Sequence, residues 1–213
     1  MAQLSWLIDL DKCTGCDTCT IACKSENNTR PLGSPLPFKN GRGVLPDQVS
    51  YRWVVKKETG VYPNPKVAFV TSACNHCTHP ACLASCPKAN VQDPFNLNND
   101  PDIAIFKRQE DGIVLINQEA CIGCKNCIHA CPYGAPQLNS ITEKVEKCTF
   151  CVHRLYDSAG RRTGLLPACV TSCVGNALHL VEDFDPSTAG DNAPDGFADP
   201  QLTVPAVRFA TGK

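Results

Sequence analysis

The chain has 213 residues, 43% of them apolar and 19% charged, which excludes a disordered polymer and points to one or two small domains. A formal charge of −1 offers no basic field for nucleic acid, and no run of apolar residues is long enough to predict a transmembrane helix. Sixteen cysteines stand against one methionine and two tryptophans, so something besides a large apolar core must hold the chain together.

In chain order, Leu4 to Asp9 alternates and predicts a short strand ahead of Cys13. It carries neither a basic n-region nor a long apolar h-region, so no signal peptide is expected and any export would use a partner's address. Thr20–Asn27 reads as a short helix, and residues 31–50, rich in Pro and Gly, read as loop. Lys66–Ser72 predicts another strand, just before Cys74. Ile103–Lys107 and Ile113–Asn117 bracket a polar turn and predict a hairpin ahead of Cys121, and Ile128–Cys131 suits a helix. From Glu182 to Asp199 the tail holds six acids and no Lys or Arg, which predicts an extended arm rather than a packed domain.

The cysteines fall in four groups of four. Cys13, Cys16, Cys19 and Cys23 form the first, and Cys74, Cys77, Cys82 and Cys86 the second. Cys121, Cys124, Cys127 and Cys131 form the third, and Cys148, Cys151, Cys169 and Cys173 the fourth. Groups one and three share C-x-G-C-x-x-C-x-x-A-C, and groups two and four share C-x-x-C, a spacer, then P-A-C-x-x-S-C. The order A, B, A, B marks an internal duplication.

In C-x-x-C-x-x-C the backbone can curl so that three thiolates converge on one face. A cubane takes three such sulfurs from one loop and a fourth from elsewhere, and the full run C-x₂-C-x₂-C-x₃-C-P stands at Cys121–Pro132. Gly15 and Gly123 let the backbone approach closely. Sixteen ligands at four per cluster give four [4Fe–4S] clusters with none left over. Zinc knuckles pair two C-x-x-C units rather than three close thiolates plus a fourth, and disulfides do not suit the spacing. His76, His79, His129, His153 and His179 are not needed as ligands. Lys12, Lys24, Lys125, Lys147 and Arg154 are placed to offset cluster charge. No catalytic constellation stands out, since H-E-x-x-H, P-loop, G-x-G-x-x-G and G-x-S-x-G are all absent. Spacing alone leaves the pairing of groups open: one with two and three with four fits the repeat as well as one with four and two with three.

The pattern resembles the four-cluster, ferredoxin-type electron-transfer (beta) subunit of molybdenum or tungsten bis-pterin oxidoreductases, the dimethyl sulfoxide reductase family. The resemblance covers about residues 4–181 and rests on IDLDKCTGCDTCTIACKSEN, CNHCTHPACLASCP, DGIVLINQEACIGCKNCIHACPYGAPQ and KCTFCVHRL followed by PACVTSC. It implies that group one partners group four and group two partners group three. One cluster then takes Cys13, Cys16, Cys19 and Cys173, and a second takes Cys148, Cys151, Cys169 and Cys23. The third takes Cys74, Cys77, Cys82 and Cys131, and the last takes Cys121, Cys124, Cys127 and Cys86.

The resemblance further implies an α+β fold of two nested ferredoxin-like modules. Residues 1–30 and 141–181 form one and 66–140 the other, with a loop-rich insertion at 31–65 and an extended C-terminal arm at 182–213. The expected role is non-catalytic. Single electrons would pass between a large molybdenum/tungsten pterin subunit and a membrane anchor, a quinone-reactive subunit or a soluble carrier. The complex would lie on either the cytoplasmic or the periplasmic side of a membrane. The competing readings are the iron–sulfur subunit of a hydrogenase or nitrite reductase system, and a free-standing redox or assembly protein.

Overall fold

A computed structural model describes residues 3–29, 49–90 and 102–211. Most of the predicted 31–50 loop lies outside these residues. The fold is α+β, with short strands and shorter helices threaded between the cysteines. β1 (Ser5–Asp9) is the middle strand of a three-stranded sheet. β8 (Leu178–Val181) runs antiparallel on one side of it and β9 (Val207–Ala210) parallel on the other. Among the described residues there are also three two-stranded hairpins: β2 (Arg52–Thr59) with β3 (Lys66–Ala73), β4 (Ile105–Lys107) with β5 (Val114–Ile116), and β6 (Gln137–Asn139) with β7 (Lys144–Glu146).

The strands and helices predicted around the cysteines form close to where the pattern placed them. The β4–β5 hairpin is one of these. The loop reading of 31–65 does not extend to its C-terminal part, because Arg52–Thr59 pairs along its full length with β3. Trp53 and Val55 alternate into the core, which is the period-2 signature of a half-buried strand.

The tail is extended but it is not a free arm. Its acids end at Asp199, and the following TVPAVRFA is mostly apolar. Ala206, Val207 and Phe209 are buried, which is the reason this segment returns to the sheet. On the way it crosses the second cysteine group. Thr78 N–H donates to Val204 O at 2.8 Å, His79 N–H to Thr203 O at 2.9 Å, and Ala206 N–H to Asn75 O at 2.9 Å.

Five helices carry cysteines or follow them: α1 (Thr18–Glu26), α2 (Ala81–Ala84), α3 (Asn126–Ala130), α4 (Val152–Leu155) and α5 (Ala168–Thr171). Four of them are one turn long, too short to persist without tertiary support. That support comes in pairs, α1 against α5 and α2 against α3. A larger core gathers Trp6, Trp53, Val70, Phe150, Leu155 and Phe209, and a smaller one gathers Leu83, Ile105, Val114 and Val145. Side-chain hydrogen bonds join distant segments, two of them near the larger core. Trp6 Nε1 donates to Cys74 O at 3.0 Å, and Gln137 exchanges hydrogen bonds with the backbone of Ser50 at the entrance to β2.

Candidate metal centre

Each C-x-x-C unit bends at the residue before its second cysteine. Gly15, His76, Gly123 and Phe150 occupy this position in the four groups, and all have positive φ: 72°, 43°, 65° and 59°. A left-handed residue between right-handed or extended neighbours turns successive N–H groups to one side, forming a concavity suited to negative charge. The sulfurs already receive such donors. Phe150 N–H donates to Cys148 Sγ at 3.3 Å, Ala177 N–H to Cys173 Sγ at 3.2 Å, and Val145 N–H to Cys121 Sγ at 3.5 Å. The Thr18 hydroxyl donates to Cys16 Sγ at 3.3 Å. This bond is the chief cause that holds the exposed Cys16 thiol below the usual range.

Packing of α1 on α5 brings cysteines of the first and fourth groups together, and packing of α2 on α3 does so for the second and third. One hollow is lined by Cys13, Cys16, Cys19 and Cys173. Another is lined by Cys74, Cys77, Cys82 and Cys131, with His76 and Lys147 in its wall. A third is lined by Cys86, Cys121, Cys124 and Cys127. Cys23, Cys148, Cys151 and Cys169 are all buried, and their charges act on one another: Cys169 and Cys151 on Cys23, Cys23 and Cys169 on Cys148.

All sixteen cysteines are free thiols. Among the described residues, no three His, Cys, Asp or Glu side chains close on a point where a single metal ion would sit. An all-sulfur donor set around a hollow, with N–H groups turned toward the sulfurs, fits a polynuclear iron–sulfur cluster. Burial pushes the Cys23, Cys77 and Cys127 thiols up to about 12, so without metal they stay protonated. A bound cation reverses this by deprotonating the thiols outright.

The charged residues singled out in the sequence divide. Lys147 is buried and donates to Val114 O and, at 3.1 Å, to Cys148 O. Lys24 is buried and donates to Val49 O at 2.9 Å. Lys12 turns away to Asp9 at 2.8 Å, and Arg154 pairs with Glu26 at 2.8 Å. Lys125 caps α3 in the left-handed conformation.

His79 and His129 are exposed, His179 is half-buried on β8, and His153 meets Glu26 at 2.9 Å. His76 alone is fully buried: its Nδ1 accepts from Val114 N–H at 3.1 Å, and its Nε2 has no partner. Burial, then the charges of Lys147 and Lys107, hold it well below its usual range, so it is neutral with the proton on Nε2. Arg52 is invisible to sequence reasoning, lying at the end of a stretch that reads as loop. It is buried in the larger core, and its charge acts on Cys19, Cys23 and Cys148.

Residues 65–183, more than half the chain, match the family model of the 4Fe-4S dicluster domain, and residues 10–28 match that of the 4Fe-4S binding domain. The chain belongs to the 4Fe-4S dicluster family. Among its curated relatives is the beta subunit of the Dechloromonas aromatica perchlorate reductase, 31% identical over 84% of this chain and 64% of that protein. The B subunit of the Allochromatium vinosum sulfite dehydrogenase is 34% identical over 88% of this chain and 72% of its own length. The B subunit of the Salmonella typhimurium tetrathionate reductase is 37% identical over 86% and 60%. This 4Fe-4S dicluster protein thus spans roughly two-thirds of the length of the relatives it matches. It is homologous to the beta and B subunits of several oxidoreductases, as its sequence resemblance implies.

Proposed function

We propose that this chain is the electron-transfer subunit of an oxidoreductase. It relays single electrons between a large molybdenum- or tungsten-pterin catalytic subunit and a quinone-side membrane subunit or soluble carrier. Bound [4Fe–4S] clusters supply one-electron redox chemistry. The chain's own residues hold the clusters in a row, donate hydrogen bonds to the sulfurs and keep water from the middle of that row.

The carrying observation is the arrangement of four cysteine sets, three of them ringing cavities. It supports the pairing of group one with four and two with three, and with it two nested ferredoxin-like modules. The ligand sets are Cys13, Cys16, Cys19 and Cys173; Cys23, Cys148, Cys151 and Cys169; Cys74, Cys77, Cys82 and Cys131; and Cys86, Cys121, Cys124 and Cys127. The same contacts support a linear order in that sequence. Cys19 is acted on by Cys169 and Cys148 by Cys74, while α2 and α3 join the last two sets. Cys16 and Cys124, one in each end set, are exposed, whereas all four cysteines of the second set are buried. Electrons would therefore enter and leave at the ends.

No helix among the described residues is long and apolar enough to cross a membrane. Attachment to a membrane, on either its cytoplasmic or its periplasmic side, would go through a partner.

Cys124→Ser tests the role. In the intact complex it should abolish quinone-linked turnover while the partner keeps its pterin cofactor. Unchanged turnover would defeat the relay. A colourless, anaerobically prepared chain holding zinc would defeat the cofactor assignment itself.

A further inference from the structure

Arg52 opens β2 and is 1% exposed. A guanidinium does not lose its proton in proteins, so a full positive charge sits inside the larger core. A buried ion left without an opposite charge is strongly destabilising. Its Nη1 donates to Thr71 Oγ1 at 3.0 Å, and its Cζ lies 4.6 Å over the Trp6 ring. Nε and Nη2 have no acceptor. Every ion pair among the described residues uses other cations, so no carboxylate neutralises Arg52 there. The hollow beside it is walled by Trp6, Trp53, Tyr133 and Phe209 and has room for water but no acidic side chain.

The largest negative charges acting on Arg52 are those of the Cys169, Cys19, Cys148 and Cys23 sulfurs. Thr71 ties the charge to them, since the hydroxyl that accepts from Nη1 also lies 3.4 Å from Cys19 Sγ. These cysteines come from the first two ligand sets. Lys147 and Lys107 act on Cys82 and Cys77 of the third, and Lys24 interacts with Cys23 of the second.

We infer that Arg52 is the fixed counter-charge of the first two cysteine sets, tied to Cys19 through the Thr71 hydroxyl and raising the reduction potentials of the two clusters they bind. The inference rests on the reading that these sets hold [4Fe–4S] clusters. Reduction adds one electron, and so one negative charge, to a cluster. A buried cation that cannot move or deprotonate favours the more negative state.

The test is an EPR-monitored redox titration of the full chain, with iron content measured alongside. In Arg52→Gln, two of four transitions should move to lower potential, by about tenfold in the reduction equilibrium, or ~59 mV for one electron. The other two should stay in place. Arg162→Gln, which removes a surface guanidinium paired with Glu182, should move none. Four unmoved transitions in Arg52→Gln at full iron content overturn the inference alone. A wild-type chain with fewer than four clusters overturns the reading beneath it. Should Arg52→Gln lose iron, Arg52→Lys decides. Full iron with potentials near wild type upholds the counter-charge, and the same iron loss as in Gln makes the side chain a matter of shape and overturns it.

Discussion

At Gly15 and Gly123 the residue before the second cysteine has no side chain. At His76 and Phe150 the same position carries two side chains with no exposed surface at all. The backbone bend is shared, since all four residues have positive φ. What differs is the space beside each bend. A Cβ at Gly123 would lie 2.1 Å from Glu143 O, and one at Gly15 would lie 2.3 Å from the Phe69 ring. At the two inner bends the side chains pack on each other, His76 edge-on to Phe150 at 5.0 Å, with Phe150 stacked on Trp6 at 3.8 Å. A left-handed conformation costs a non-glycine residue roughly 1–2 kcal/mol. Burial of a large ring offsets that cost at His76 and Phe150, and at Gly15 and Gly123 the crossing segments leave no room for one. The repeated motif therefore differs by position: glycine where a neighbouring segment crosses, core side chains where rings pack together.

Substitutions that exchange the two solutions test this. Gly123→Ala drives a Cβ into backbone and should be the most damaging, at about 3–5 kcal/mol. On the proposed assignment of one cubane to each set, iron content should fall by about one cluster in four. Gly15→Ala meets a ring that can be trimmed, so Phe69→Ala should restore much of its lost iron while no single trimming rescues Gly123→Ala. Equal rescue at both positions would break the distinction.

At an inner bend, His76→Phe keeps the ring but strands the Val114 N–H. A loss of about 2 kcal/mol in denaturant unfolding is expected, and a neutral result would show that shape alone matters there.

The smallest effect lies where the first and fourth cysteine groups are tied at the surface, by Glu26 of α1 to His153 and Arg154 of α4. The hydrogen bond from His153, then the Arg154 charge, holds the Glu26 carboxyl below its usual 4.5. A carboxyl lowered by folding stabilises above its unfolded value and loses that contribution as pH falls through its folded value. Glu26→Gln should therefore cost about 0.5 kcal/mol at pH 7, and the difference from wild type should shrink below pH 4.5.

The sequence made the four cysteine groups and their flanking strands legible because ligand spacing is local: Gly123, Cys124 and Cys127 announce one loop without help from elsewhere. The β4–β5 hairpin was equally readable, since its apolar runs flank a polar turn. β2 was hidden by the Pro- and Gly-rich stretch before it, although Trp53 and Val55 alternate. Arg52 could not have been found, since its role depends on four sulfurs and a tryptophan brought from distant segments. The tail misled because composition averages over a window. Six acids masked an apolar end whose partner, β1, lies about two hundred residues upstream.

That distance has a consequence for synthesis. β1 leaves the ribosome well ahead of both its hydrogen-bonding neighbours, β8 and β9, which lie beyond Ala177. Until those strands emerge, Trp6 and Ile8 have no sheet to join, and their strand presents open edges to any other chain. That segment of the nascent polypeptide must be shielded in the interval, and the three-stranded sheet closes only once Ala210 has been made.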